Sequence, residues 1–126
     1  MSSIVTGVDF VSVPTQDLDR AVQFYGETLG LPRSVYMPER NYAEFETGAV
    51  TFSVVNPEAM GIGPFRANAN HFALQVDDVA EARRALEERG VSFMGDTFDT
   101  GVCHMAFFTD PDGNALMLHH RYAPRS

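Results

Sequence analysis

Phe10-Val11-Ser12-Val13-Pro14-Thr15-Gln16-Asp17-Leu18-Asp19-Arg20-Ala21 has a second copy of its pattern later in the chain, His71-Phe72-Ala73-Leu74-Gln75-Val76-Asp77-Asp78-Val79-Ala80-Glu81-Ala82. Each copy is an apolar/polar alternation with the strand period of two, then an Asp placed to cap a helix, then apolar residues at helical spacing. An internal repeat settles architecture before any single element does. The copies differ at their first position, where one carries Phe10 and the other His71.

Working outward, Ala21, Val22, Phe24, Tyr25 and Leu29 form the apolar face of the first helix, and Gly30 and Pro32 stop it. Short strands follow at Ser34 to Met37, Tyr42 to Glu46 and Val50 to Val55, the last two joined at a Thr47-Gly48 turn. A Gly- and Pro-rich stretch, 57–69, reads as a linker between a first module at about 4–56 and a second at about 70–121. In the second module Val79, Ala82, Ala85 and Leu86 make the helix face and Gly90 ends the helix. Strands near Val91 to Met94, Val102 to Phe108 and Ala115 to His119 follow, with a loop through Gly95 and Asp96. Asp110-Pro111-Asp112-Gly113-Asn114 forms the final turn. Each module is β-α-β-β-β. The fold class is α+β: two paired modules whose mixed sheets curve around a cup, with the helices on the outer face, in a single domain spanning 1–126.

The chain as a whole excludes several roles. A net charge of −8 argues against nucleic acid, because affinity for phosphate backbones comes from Lys and Arg. No apolar run approaches the roughly 20 residues that span a bilayer, and Met1-Ser2-Ser3-Ile4 does not open a secretory signal. The lone Cys103 forms no intrachain disulfide and fits a reducing, cytoplasmic location; on an apolar strand it reads as a small core residue before a reactive thiol.

Asp17-Leu18-Asp19-Arg20-Ala21, Phe24-Tyr25, Leu29-Gly30-Leu31 and the turn 110–114 together resemble the vicinal oxygen chelate superfamily, which groups glyoxalase I, extradiol dioxygenases and the fosfomycin- and bleomycin-resistance proteins. The resemblance runs from about residue 7 to 120. It implies a homodimer, and a metal held by one ligand from the first and one from the last strand of each module. The first-strand ligand is a His seven residues before the capping Asp: that is His71 before Asp78, but Phe10 before Asp17. The last-strand Glu lies four residues after the turn Gly: that is Met117 after Gly113 and Phe52 after Gly48. One of four expected donors remains. Hard divalent ions take imidazole nitrogen and carboxylate oxygen, and a thioether suits soft ions such as Cu(I). A one-residue shift that recruited Asp9 would turn its side chain to the other sheet face. The reading therefore carries no metal and no cofactor.

Strand parity then selects what lines the cup. Phe10 and Ser12 face it from the first strand, Phe52 and Val54 (with Val50) from the fourth, His71 and Gln75 (with Ala73) from the fifth, Met117 and His119 (with Ala115) from the last. This apolar and aromatic lining with a few polar groups suits a small organic ligand. His71 is the candidate catalytic residue as a general base, or simply a hydrogen-bonded group on a vacated ligand position. His119 reads as a rim residue, His120 points to the helix side or solvent, and the parity of His104 is open. Glu44 and Glu46, on one face with Tyr42, form either an acidic wall for a cationic ligand or a solvated strand face. Arg33 and Arg40 bracket a possible mouth. Met60, Ile62 and Phe65 make the linker unusually apolar, as a lid or a subunit contact would be.

Three functions compete: a metal-independent binder of a small organic molecule, like the bleomycin-resistance branch; a metal-dependent lyase or dioxygenase like lactoylglutathione lyase; and a non-catalytic partner or sensor domain. The lost donors favour the binder.

Overall fold

The computed structural model describes residues 3–124. The chain divides into two compact units between Arg66 and Ala67. Both repeat β-α-β-β-β, each as a four-stranded mixed sheet with one helix. The α+β class and the repeat thus agree with the sequence. No helix of the described residues is long and apolar enough to cross a membrane.

In unit one, β1 (Phe10–Pro14) lies parallel to β4 (Thr51–Val55). β4 pairs antiparallel with β3 (Tyr42–Glu46), and β3 with β2 (Arg33–Met37), giving the order β1-β4-β3-β2. The Asp17 carboxylate accepts the Arg20 N–H at 3.1 Å and caps α1 (Leu18–Gln23), as its position predicts. The helix does not continue regularly to Leu29. It widens into a π-helical turn, Phe24–Thr28, closed by the Leu29 N–H on the Phe24 carbonyl at 2.9 Å. The wider turn lets two adjacent residues, Phe24 and Tyr25, both reach the core. The Tyr25 ring lies 5.2 Å from Phe52 and 6.0 Å from Phe45, centroid to centroid. Gly26 sits so close that a Cβ there would stand 3.3 Å from the Phe45 ring.

Unit two repeats the plan with β5 (Phe72–Gln75), β6 (Phe93–Asp99), β7 (Cys103–Thr109) and β8 (Ala115–Arg121) in the order β5-β8-β7-β6. Asp78 caps α2 (Val79–Glu88) through the Glu81 N–H at 3.0 Å. Two sequence expectations need correcting here. The helix buries Val79 and Leu86 and half-buries Ala82 and Arg83, whereas Ala85 is exposed. Arg83 lays its stem on the core side and sets its guanidinium over the Phe93 ring at 4.9 Å, donating to the Gly95 carbonyl at 2.9 Å. The loop expected at Gly95 and Asp96 is instead part of β6, which continues to Asp99 through an irregularity between Met94 and Phe98. Gly95 has φ +68° there, the left-handed conformation that lets a strand bulge and resume.

The final turn is a buried polar knot. One Asp110 carboxylate oxygen accepts the N–H groups of Asp112 and Asn114, both at 2.9 Å, and the other accepts the Asn114 amide at 2.8 Å. The Asn114 side-chain amide oxygen accepts the Asn68 N–H at 2.8 Å, tying the start of unit two to its last hairpin. These residues are structural, and their chemistry is spent inside the fold.

Candidate functional site

Cross-strand register decides which side chains share a face. In unit one Val11 pairs with Phe52 and Val13 with Val54, while Phe10 pairs with Thr51 and Ser12 with Ser53. Phe52 and Val54 therefore lie with Val11 and Val13 against α1, and the Phe52–Tyr25 ring contact confirms the side. This corrects the expectation that Phe52 and Val54 share the cup face with Phe10 and Ser12. The cause is local. The Thr47 hydroxyl donates to the Val50 carbonyl at 2.6 Å and accepts the Ala49 and Val50 N–H groups, building a turn one residue longer than its counterpart at Gly113. Counting from Gly48 thus lands one residue early, and one residue reverses the face. Ser53, which pairs with Ser12 as Met117 pairs with Ala73, holds the position assigned to Phe52.

The helix-free face of unit one consequently carries Phe10, Ser12, Thr51, Ser53, Glu44, Glu46 and Tyr42. Phe10 is 56% exposed, unusual for a strand aromatic, whereas Ser53 is only 4% exposed. Glu46 is held between two hydroxyls: Thr51 donates at 2.7 Å and Ser34 donates to its other oxygen. Those bonds, Ser34 first, favour the ionised form and hold its carboxyl below the usual 4.5. Arg33 stacks on the Tyr36 ring at 4.6 Å, and the Tyr36 hydroxyl donates to Asp19 of α1 at 2.8 Å.

In unit two Ala73 pairs with Met117 and Gln75 with His119; on the other side Met117 pairs with Phe107 and His119 with Met105. Met94 and Phe98 extend the two rows onto β6. Gln75, Met117 and His119 thus share one helix-free face with Met105, Phe107, Met94 and Phe98. His71, one residue before β5, sets its ring edge-on to Phe107 at 5.1 Å. The residues of β6 and β7 escaped sequence reading because Met105-Ala106-Phe107-Phe108 is apolar on both faces, so alternation carries no parity there.

The remaining histidines stand apart. His120 contacts the Val76 carbonyl through Nδ1 at 3.1 Å. His104, pairing with His120, lies 3.5 Å from the Asp99 carboxylate and stacks on Tyr122 at 4.7 Å. Asp99 accepts the Gly101 N–H and the Tyr122 hydroxyl, each at 2.8 Å, and these hold its carboxyl below the ordinary 3.8. The same bond to Asp99 raises the Tyr122 phenol above 10.0. A lowered acid stabilises the fold above its ordinary pKa, and that contribution is lost as pH falls through the folded value; a raised phenol contributes below 10.0 and loses it as pH climbs. Tyr122→Phe is therefore expected to bring the Asp99 carboxyl back toward 3.8, read by carboxyl-carbon NMR titration; an unmoved titration would refute the pairing. Cys103 is buried, as its strand position suggests.

The sequence profile of the Glyoxalase/Bleomycin resistance protein/Dioxygenase superfamily matches residues 7–118. The chain belongs to this superfamily. It is 30% identical over 114 residues to the uncharacterized protein YraH of Bacillus subtilis (strain 168), covering 82% of this chain and 89% of YraH. It is 28% identical over 134 residues to lactoylglutathione lyase of Schizosaccharomyces pombe, covering 84% of this chain but only 44% of the lyase. Among solved structures it is similar to TnmS3, an antibiotic binding protein from Streptomyces sp. CB03234, with 27% identity, a TM-score of 0.78 and coverage of 95% and 99% of the two chains.

A superfamily metal ion would look for donors at the positions held here by Phe10 and Ser53 in unit one and His71 and Met117 in unit two. A benzyl ring, a hydroxyl, an imidazole and a thioether do not make a set for a hard divalent ion. Among the described residues no three His, Cys, Asp or Glu side chains gather into a group able to hold a metal.

Proposed function

We propose that this chain is a cytoplasmic, homodimeric binder of a small organic molecule, working as one domain and taking its ligand on the helix-free sheet face of unit two without a metal. The donor set at the four superfamily positions carries the reading. Losing carboxylates there removes the means to polarise a carbonyl or chelate vicinal oxygens, while the aromatic and methionine side chains around them suit an adaptable apolar contact. The likeness to an antibiotic binding protein at 27% identity supports the same class of role.

On this reading His71 and Gln75 give the ligand its polar anchors, Met117 and Phe107 its apolar bed, and His119 the rim. The test is fluorescence titration of chelator-treated protein with apolar aromatic probes. His71→Ala and Met117→Ala are each expected to weaken binding about fivefold to a hundredfold, as loss of one hydrogen bond or one buried apolar contact does. Unchanged affinity in both variants would reject this face as the site.

A second reading draws on the similarity to lactoylglutathione lyase. In it His71 acts as a general base without metal, moving a proton at a carbon next to a carbonyl. A His71→Ala variant that keeps full turnover of such a substrate would dispose of it.

A further inference from the structure

Arg121 closes β8 on the helix-free face of unit two. It follows Met117 and His119 at the strand period of two, and it pairs with Cys103 as His119 pairs with Met105. Its guanidinium is unheld: among the described residues it has no ion pair, no aromatic ring beneath it and no hydrogen-bond acceptor. Its Nε is moreover closed off from solvent, and among the described residues it is the only enclosed side-chain nitrogen or oxygen without a hydrogen-bond partner. The residue as a whole is half-buried, and its terminal nitrogens are not enclosed. An enclosed N–H on a cation is normally matched by an acceptor. Nothing pins the guanidinium plane in the position that leaves this one unmatched. A turn of the side chain presents Nε–H and one Nη–H together, the fork that takes two oxygens of one oxyanion.

A second observation is the charge around this group. The chain carries a net −8, yet β5, β7 and β8 hold no Asp or Glu. Carboxylates reappear only on the edge strand β6, with β7 between it and β8. There Asp96 is exposed, and Asp99 already accepts from Gly101 and Tyr122. On the ligand face His119 precedes Arg121, and Gln75 lies across from His119, so neutral donors stand beside the positive charge.

We propose that Arg121 receives an oxyanion carried by the ligand, so that the molecule bound on this face is an organic anion, a carboxylate or sulfonate on an apolar aromatic body. This rests on the binder reading and adds the chemical class of the ligand. The body lies on Met117, Met105 and Phe107, and the oxyanion sits at the Arg121 end of β8. A ligand without an anionic group leaves the Arg121 charge unpaired and its Nε unmatched.

The experiment compares two fluorescent probes of one skeleton on the full chain: 8-anilino-1-naphthalenesulfonate, an anion, and N-phenyl-1-naphthylamine, which lacks the sulfonate. Wild-type protein is expected to bind the sulfonate about tenfold or more tightly, the scale of one charge-assisted hydrogen bond, with the margin shrinking as salt rises. 1-Naphthoate is expected to displace the sulfonate, and inorganic phosphate at the same concentration is not. Arg121→Gln is expected to lose about tenfold or more in sulfonate affinity, with naphthylamine affinity unchanged. Arg121→Lys, which keeps the charge without the fork, should fall between. Equal wild-type affinity for the two probes, or unchanged sulfonate affinity in Arg121→Gln protein with unaltered circular dichroism, overturns the anion proposal and leaves the binder reading standing. Displacement by phosphate as readily as by naphthoate does the same. If Arg121→Gln does not fold, Arg121→Lys decides, and a sulfonate affinity equal to wild type and independent of salt overturns the proposal. Failure of the folded wild-type protein to bind either probe overturns both.

Discussion

Replacing Phe45 by Ala is expected to cost about 3–5 kcal/mol, the range for removing a large aromatic from a packed core. Phe45 is completely buried on β3, where its ring meets Tyr25 and closes on the backbone of Gly26. The cavity cannot collapse easily. One wall is the π-helical turn, whose hydrogen bonds fix Phe24 and Tyr25 in place, and the other is the central strand pair β3–β4. Against a typical total of about 5–15 kcal/mol, this loss is a large share of the stability. Denaturant unfolding followed by circular dichroism checks it, with Phe45→Leu as a milder control expected to lose less than half as much. A Phe45→Ala midpoint equal to wild type would mean that the ring does not pack as described.

Asp110→Ala is expected to be comparably severe for a different reason. The carboxylate accepts the Asp112 N–H, and it also holds the Asn114 N–H and side-chain amide. Asp110 and Asn114 are both buried, so water cannot freely replace the lost partner. Each enclosed donor left unsatisfied costs about 1–3 kcal/mol. Asn114 also receives the Asn68 N–H, so the damage should spread to the strap before β5. Hydrogen exchange at Asn68 and Ala115, whose N–H bonds the Asn68 carbonyl at 2.8 Å, is expected to accelerate with global destabilisation of about 3 kcal/mol or more. Protection retained at both amides would show that the knot is dispensable.

Much of the architecture was legible because its signals are local. Asp17 and Asp78 announce helix starts through one side-chain bond each, and 110–114 spells a turn in residues suited to no other element. The strands of the second module kept their parity because His71-Phe72-Ala73-Leu74-Gln75 alternates plainly. What escaped depends on backbone geometry that side-chain type does not announce. Gly95 reads as a loop whether it ends a strand or bulges one. Phe24-Tyr25 reads as a regular helix face, yet burying two consecutive rings needs the π-helical turn. The longer turn set by Thr47 shifted the count into β4, which moved Phe52 and Val54 to the wrong face and hid Ser53. Arg83 was passed over because a charged residue rarely contributes to a buried stripe.

Of the four positions that hold the superfamily's usual metal, His71 keeps an imidazole, and Phe10, Ser53 and Met117 stand at the other three. Carboxylates sit elsewhere, on the neighbouring strand β3, with Thr51 and Ser34 fixing one of them. The most direct test is elemental analysis after the protein is incubated with Zn²⁺, Ni²⁺, Mn²⁺ or Fe²⁺ and passed through gel filtration, paired with probe titrations before and after chelator treatment. The account predicts metal far below one ion per chain and identical probe affinities in both states. One ion per chain, retained through filtration and lost in His71→Ala, would contradict it.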